Sequence, residues 1–178
     1  RRRALPKQPA AIAILTSVPS SALADMLRTA KDRWPLTRLV IIPIPVQGDV
    51  AKEIQSVLHY LSNQYQQLGI AAIVLARGGG SREDLMVFDD ESLCRELADF
   101  PIPVVTGLGH EDDQTVADLV ADHRAATPTA AMVALLPSRE SAKSELMQRR
   151  QRLVDHSNWL IRKQRERLLD RGKVLESQ

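Results

Sequence analysis

A histidine and a run of acidic residues follow an apolar segment in the stretch TGLGHEDDQTVAD, residues 106–118. An imidazole titrates near neutral pH, so His110 can accept or donate a proton during a reaction. Asp113 lies three residues further on and can orient that imidazole or bind a metal ion. Glu111 and Asp112 are expected to face solvent or the start of the next helix. This stretch is the first candidate for catalytic chemistry.

A second candidate is the turn RGGGS, which begins at Arg77. A guanidinium binds phosphate oxygens with two parallel hydrogen bonds. The three glycines, Gly78, Gly79 and Gly80, allow a tight turn that exposes backbone N–H groups. Ser81 can cap a following helix, whose amino end attracts anions. The spacing matches neither the P-loop nor the dinucleotide fingerprint, but it predicts a phosphate-binding turn.

The elements that must position these residues are four apolar, β-branched segments that alternate with helical patterns. This alternation predicts an α/β fold with an open, mostly parallel sheet of at least four strands and helices on both faces. Ligands of such sheets bind beyond the carboxyl ends of the strands. Arg77, His110 and Asp113 follow two of these ends, and Asp25 lies on the helix after the first strand. They are therefore expected to share one rim.

The segment 138–178 differs in character because it lacks proline and is rich in basic residues. Apolar residues recur every seven positions, which predicts a long helix with a narrow apolar stripe. A helix of this length would extend for about 60 Å, so it is expected to project either toward a partner or toward another part of the protein. The domain prediction is a linker at 1–9, an α/β domain at 10–137 and the basic helix at 138–178.

Charge and composition limit the classes of function. The net charge is only +2, yet basic residues are concentrated at both ends and acidic residues prevail in 10–137. If the protein handles nucleic acid, the basic ends or another module must supply most of the electrostatic attraction. The single cysteine excludes an internal disulfide, and no apolar run is long enough to cross a membrane. A cytoplasmic protein is expected.

Several stretches, in the same order along the chain, resemble the large subunit of bacterial exodeoxyribonuclease VII. They are VQGDVAKEI, RGGGSREDLMVFDDE, IPVVTGLGHEDDQTVADLVADHRAATPTAA and the basic helix that follows them. The resemblance implies a nuclease that degrades single-stranded DNA to short oligonucleotides from both ends. It also implies that the long helix binds a small helical subunit, and that an OB-fold supplies further contacts with DNA.

The resemblance places the functionally important residues of the family on Asp25, Arg77, His110 and Asp113. The resulting hypothesis is phosphodiester hydrolysis, with the scissile phosphate bound by Arg77 and by the amides of residues 78–81. His110 would act as general base or acid. Asp113 would orient it, or would hold a divalent ion such as Mg²⁺ together with Asp25. Metal-assisted and metal-independent routes both fit this set. The alternative function is a non-catalytic, phosphate- or nucleic-acid-binding assembly module.

Overall fold

The computed structural model describes residues 2–45, 50–78, 83–109 and 114–176, with the backbone alone described for residue 83 and for 169–176. The chain divides into two compact units, residues 1–137 and residues 138–178. The first unit contains a β-sheet with its helices. The second unit is a single long helix.

Five parallel strands are found in the described part of the first unit, and they form one sheet. Their bounds are β1 Ala11–Thr16, β2 Arg38–Pro43, β3 Ile70–Ala76, β4 Val104–Gly107 and β5 His123–Arg124. The strands pair in the order β2-β1-β3-β4-β5. The prediction of an open parallel sheet with at least four strands is confirmed, while the two-residue strand β5 is too short for a pattern to reveal.

Helices of the first unit cover both faces of this sheet. The described helices are α1 Ser21–Arg33, α2 Ala51–Leu68, α3 Glu91–Asp99, α4 Val116–Val120, α5 Pro128–Leu135 and α6 Arg139–Glu176. A 3₁₀ segment, Glu83–Asp89, precedes α3. The long helix α6 and the alternation of strands with α1 to α4 match the predicted pattern.

The helix ends follow local sequence signals. The Ser20 hydroxyl accepts a hydrogen bond from the Leu23 N–H at 3.1 Å and so caps α1. Gly69 ends α2 with φ of 64°, a left-handed conformation that glycine adopts without a steric penalty. Asp90 caps α3 in the same manner as Ser20 caps α1. These short-range interactions explain why sequence patterns locate the helices well.

Two apolar cores lie on opposite faces of the sheet. Successive strand residues point to opposite faces, so Leu75 of β3 enters one core and Val74 enters the other. The face that packs against α2, α3 and α4 is called the α2 face, and buried residues of α2 such as Ile54 and Leu58 contribute to its core. The face that packs against α1 and α5 is called the α1 face, where Met26 is buried.

The amino-terminal segment packs against the amino ends of the strands. The Pro9 carbonyl accepts a hydrogen bond from the Thr37 hydroxyl at 2.7 Å. The Arg3 guanidinium reaches Asp122, with Nε 2.8 Å from Oδ2. The same carboxylate accepts a bond from the Val104 N–H at the start of β4. These contacts hold the segment at the edge of the sheet opposite to the predicted rim.

The Arg3–Asp122 pair predicts a pH-dependent stability. Burial opposes ionisation of Asp122, but hydrogen bonds from Arg3 and Val104 and the charge of Arg3 hold its pKa below the usual value. A lowered folded-state pKa stabilises the fold above the unfolded-state pKa of about 3.9, and this stability is lost as the pH falls through the folded-state pKa. Asp122→Asn should therefore lower the free energy of unfolding at neutral pH by about 2–3 kcal/mol, because Arg3 loses its partner.

Urea unfolding followed from neutral to acidic pH measures this effect. The difference between the parent chain and Asp122→Asn should shrink as the solution becomes acidic. Asp99→Asn removes an exposed carboxylate and serves as the control, with a change of at most about 0.5 kcal/mol. A constant difference at every pH would contradict the prediction.

None of the described helices combines the length and the apolar character needed to cross a membrane.

Candidate functional site

The strand order creates a crevice at the carboxyl edge of the sheet. β1 and β3 are neighbours, but the chain leaves β1 for α1 on one face and leaves β3 for α3 on the other. In open parallel sheets, ligands bind at this kind of switch point. The ends of β1 and β3, at Thr16 and Ala76, therefore mark the expected position of a site.

Arg77 continues β3 directly into this crevice. Its N–H donates to the Gly107 carbonyl at 3.2 Å, which extends the pairing with β4 by one residue. The Arg77 side chain is only 3% exposed, and its Nη2 lies 2.7 Å from Oδ2 of Asp84 in the 3₁₀ segment. A charge-assisted bond of this length orients the guanidinium. Arg77, which was predicted to bind phosphate, is thus a buried cation held at the switch point.

Gly78 lies against the first turn of α1. A Cβ atom at Gly78 would lie 3.4 Å from the Ala22 Cβ. This is an ordinary van der Waals distance, and among the described glycines only Gly69 has a positive φ, so neither crowding by α1 nor a left-handed backbone requires glycine at this position. Gly79, Gly80 and Ser81 lie outside the described residues.

Asp25 follows Ala22 by three residues on α1. Its carboxylate is 54% exposed and lies 3.8 Å from Arg28, the next residue on the same side of the helix. An exposed pair at this distance constrains the carboxylate little. The structure therefore brings the helix of Asp25 against Gly78, and it leaves the Asp25 carboxylate accessible.

His110 and Asp113 lie outside the described residues. On either side of them, β4 ends at Gly107 and Thr115 caps α4. β4 lies directly beside β3 in the sheet. The stretch that contains His110 and Asp113 therefore follows the strand beside β3, and Arg77 follows β3 itself.

Close packing at residue 107, the last residue of β4, requires a glycine. A Cβ atom there would lie 3.0 Å from the Pro128 Cα and from the Thr127 carbonyl oxygen. These atoms belong to the amino end of α5, which packs on the α1 face beside β4. Contacts this short with backbone atoms leave no space for a side chain.

Three buried polar atoms lack a hydrogen-bond partner in the described part of the chain: Thr16 Oγ1, Thr106 Oγ1 and Asp118 Oδ1. Both threonines lie near the carboxyl ends of strands, at the end of β1 and in β4. Buried polar groups normally have a partner in the protein or in ordered water, so these atoms alone do not identify a site. Their sequence signal is a threonine that closes an apolar run, ILT and VVT.

The short helix α4 is fixed by two carboxylates. Oδ2 of Asp118 lies 3.1 Å from both the N–H and the hydroxyl of Thr115, in a reciprocal capping box. Asp89 accepts a bond from the Val116 N–H at 2.7 Å. A helix of five residues is not stable alone. These bonds therefore determine where the chain returns after the stretch that contains His110 and Asp113.

Cys94 is excluded as a nucleophile. Burial, together with the charges of Asp89 and Asp90, raises the pKa of its thiol to about 11. The thiol donates to the Phe88 carbonyl at 3.3 Å. It therefore stays protonated at neutral pH and has a structural role.

Among the described residues, no three or more His, Cys, Asp or Glu side chains are grouped as metal ligands would be. Asp25 has the oxygen chemistry that Mg²⁺ prefers and is accessible to it. Asp113, the other predicted ligand, lies outside the described residues.

The chain is similar to known proteins over its whole length. Residues 1–178 match the family described as "Exonuclease VII, large subunit". The chain is 69% identical over 98% of its length to the exodeoxyribonuclease 7 large subunit of Parasynechococcus marenigrum (strain WH8102), and covers 45% of that protein. It is 40% identical over 99% of its length to the protein of the same name from Carboxydothermus hydrogenoformans, and covers 37% of it.

The similarity therefore extends through both units, and the chain spans less than half the length of these curated relatives. The chain belongs to the exonuclease VII large subunit family.

Proposed function

We propose that residues 10–137 are the catalytic domain of a cytoplasmic exodeoxyribonuclease, which hydrolyses single-stranded DNA to short oligonucleotides from both ends. Family membership supports the reaction class. The observation on this chain that carries the proposal is the buried, oriented Arg77 guanidinium at the switch point of the sheet. A guanidinium in that position suits a phosphodiester group.

The first step of the mechanism is binding of the scissile phosphate. Arg77, with the backbone N–H groups of the turn that follows it, would bind the phosphate oxygens and stabilise the charge that develops on them. Asp84 holds the guanidinium in place before substrate arrives, so little reorganisation is needed. Low exposure of Arg77 strengthens its interaction with an anion.

The second step is proton transfer at His110. Water attacks phosphorus, the bond from phosphorus to the leaving oxygen breaks, and that oxygen takes up a proton. His110 would remove the proton from water as general base or supply the proton to the leaving oxygen as general acid. Asp113 would orient the imidazole. In the metal-assisted form, Asp25 and Asp113 would hold Mg²⁺, which makes bound water more acidic.

The helix α6 is the proposed binding surface for a small helical subunit. Every side chain from Lys143 to Leu168 is exposed. Two rows of apolar side chains lie along it with a seven-residue spacing: Leu146, Leu153 and Leu160, and Met147, Val154, Ile161 and Leu168. An exposed apolar stripe on a helix of 38 residues is typical of a partner-binding surface.

A digestion assay tests the proposed function. The full-length protein, together with its small subunit, is incubated with single-stranded DNA labelled at the 5′ or the 3′ end, and with duplex DNA as the control. Short labelled products from both ends of the single strand are expected. A parallel reaction with excess chelator separates the two routes, because only the metal-independent route survives it. Binding without cleavage would instead favour the non-catalytic assembly module.

A further inference from the structure

A second arginine lies at the carboxyl edge of the sheet, on the other side of β4 from Arg77. Arg124 is the last residue of β5 and the register partner of Thr106 in β4. Ala76, just before Arg77, is the register partner of Gly107 in β4. Neighbouring strands are about 4.8 Å apart, so the backbones of β3 and β5 are roughly 10 Å apart. Long side chains from both can reach the same substrate.

The two arginines belong to the same face of the sheet. Leu75 and Val104 both enter the core of the α2 face. Side chains two residues apart on a strand share a face, which places Arg77 and Thr106 there. Arg124 is level with Thr106, and its contact with Asp118 of α4 confirms the same face.

Each arginine is backed by a carboxylate from a neighbouring element of that face. Arg77 pairs with Asp84, and Arg124 Nε lies 3.7 Å from Asp118 Oδ2. The second distance is too long for a hydrogen bond, so charge alone holds this pair. Asp118 is 2% exposed whereas Arg124 is 26% exposed. The Arg124 side chain therefore extends from a buried anion to the surface, and it is more accessible than Arg77.

Two of the buried polar atoms that lack a hydrogen-bond partner among the described residues belong to residues paired with Arg124. Thr106 Oγ1, on the strand between the two arginines, is buried and unpartnered. Oδ1 of Asp118 is also buried and also lacks a hydrogen-bond partner among the described residues. Thr106 and Arg124 are register partners, so this hydroxyl and the guanidinium belong to adjacent strands at the same level of the sheet.

We infer that Arg124 binds a phosphate of the DNA backbone next to the scissile one, and that Asp118 positions it there. The inference rests on the proposed nuclease function, because it takes the phosphate bound by Arg77 as the scissile one. The acidic character of residues 10–137 makes such a contact valuable, since few basic groups are available in this domain to neutralise the substrate. Arg77 and Arg124 would then bind neighbouring phosphates of one DNA strand, with one arginine on each side of β4.

The test measures binding of a short, fluorescein-labelled single-stranded oligodeoxythymidylate to the full-length protein with its small subunit, at several salt concentrations. His110→Ala is used as the background to prevent cleavage. Arg124→Gln should weaken binding about 10- to 100-fold, the range for a hydrogen bond with a charged group. The slope of log K against log salt should become shallower by about 0.7, as expected for one lost phosphate contact on a single strand.

Arg95→Gln is the matched control. Arg95 is 75% exposed, lies on α3 of the same domain and pairs only with Glu91 among the described residues. The Arg95→Gln substitution removes the same charge at a position away from the carboxyl edge of the sheet. The affinity for DNA and the slope of log K against log salt should therefore stay near those of the parent. Equal affinity and slope for Arg124→Gln and Arg95→Gln would overturn the inference.

Arg124→Lys keeps the test decisive if Arg124→Gln does not fold. Lysine retains the charge beside Asp118 but loses the planar fork. An unchanged salt slope with severalfold weaker binding is expected, and affinity equal to that of the parent would overturn the inference. Digestion by the parent complex is measured separately. If the parent complex does not digest single-stranded DNA, the proposed nuclease function is wrong. If it does digest DNA but Arg124→Gln leaves DNA binding unchanged, only this inference is wrong.

Discussion

Arg77→Ala is expected to lower kcat/KM for digestion of single-stranded DNA by about 100- to 1,000-fold, the cost of removing one preorganised donor to a charge that develops during reaction. The guanidinium is 97% removed from solvent and oriented by Asp84. No other described residue at the end of β3 could replace it. The measurement is a single-turnover digestion by the full-length protein with its small subunit.

A control for this variant must distinguish a loss of catalytic activity from a loss of folding stability. Removing one member of a buried ion pair leaves the other uncompensated, which costs about 3–5 kcal/mol of folding free energy. The double variant Arg77→Gln with Asp84→Asn removes both charges and should recover most of that stability. If Arg77 acts on substrate, the double variant stays inactive although it is folded. Recovery of activity along with stability would show that Arg77 has only a structural role.

His110→Ala is expected to lower the rate of cleavage by at least about 100-fold, because it removes the group that transfers a proton in the transition state. Binding of single-stranded DNA should be nearly unchanged, since the proposed phosphate contacts come from Arg77, the turn after it and Arg124. The rate of cleavage is measured at saturating substrate, and affinity is measured separately.

His59→Ala is the control for this second prediction. His59 is an exposed histidine on α2, so its removal should leave cleavage unchanged. Added imidazole should restore part of the activity of His110→Ala if the missing function is proton transfer. Near-normal cleavage by His110→Ala without imidazole would remove His110 from the mechanism.

Local signals account for the parts of the fold that the sequence predicts correctly. Ser20 and Gly69 define ends of α1 and α2 through contacts within a few residues. The apolar runs define β1 to β4 because strands covered on both faces have few polar positions. The 3₁₀ segment and β5 are harder to predict, since each depends on contacts with distant parts of the chain.

The candidate site residues differ in how strongly the sequence alone points to them. Arg77 stands out because its turn has an unusual composition, and the structure places it at the carboxyl edge as expected. Asp118 and Arg124 lie in a stretch that carries the family resemblance, but their residue types and spacing do not by themselves predict a site. Only the register of β5 with β4 brings Arg124 to the same edge.

By itself, the sequence determined the class of fold, the family and the residues with suitable chemistry, because strand and helix periodicity, caps and rare motifs are properties of short segments. The tertiary structure alone decided the strand order, the burial of Arg77 and the ion pair between Arg3 and Asp122, which are 119 residues apart. Such features depend on which distant surfaces pack together. The free energy of that packing is shared among many residues and leaves no local pattern.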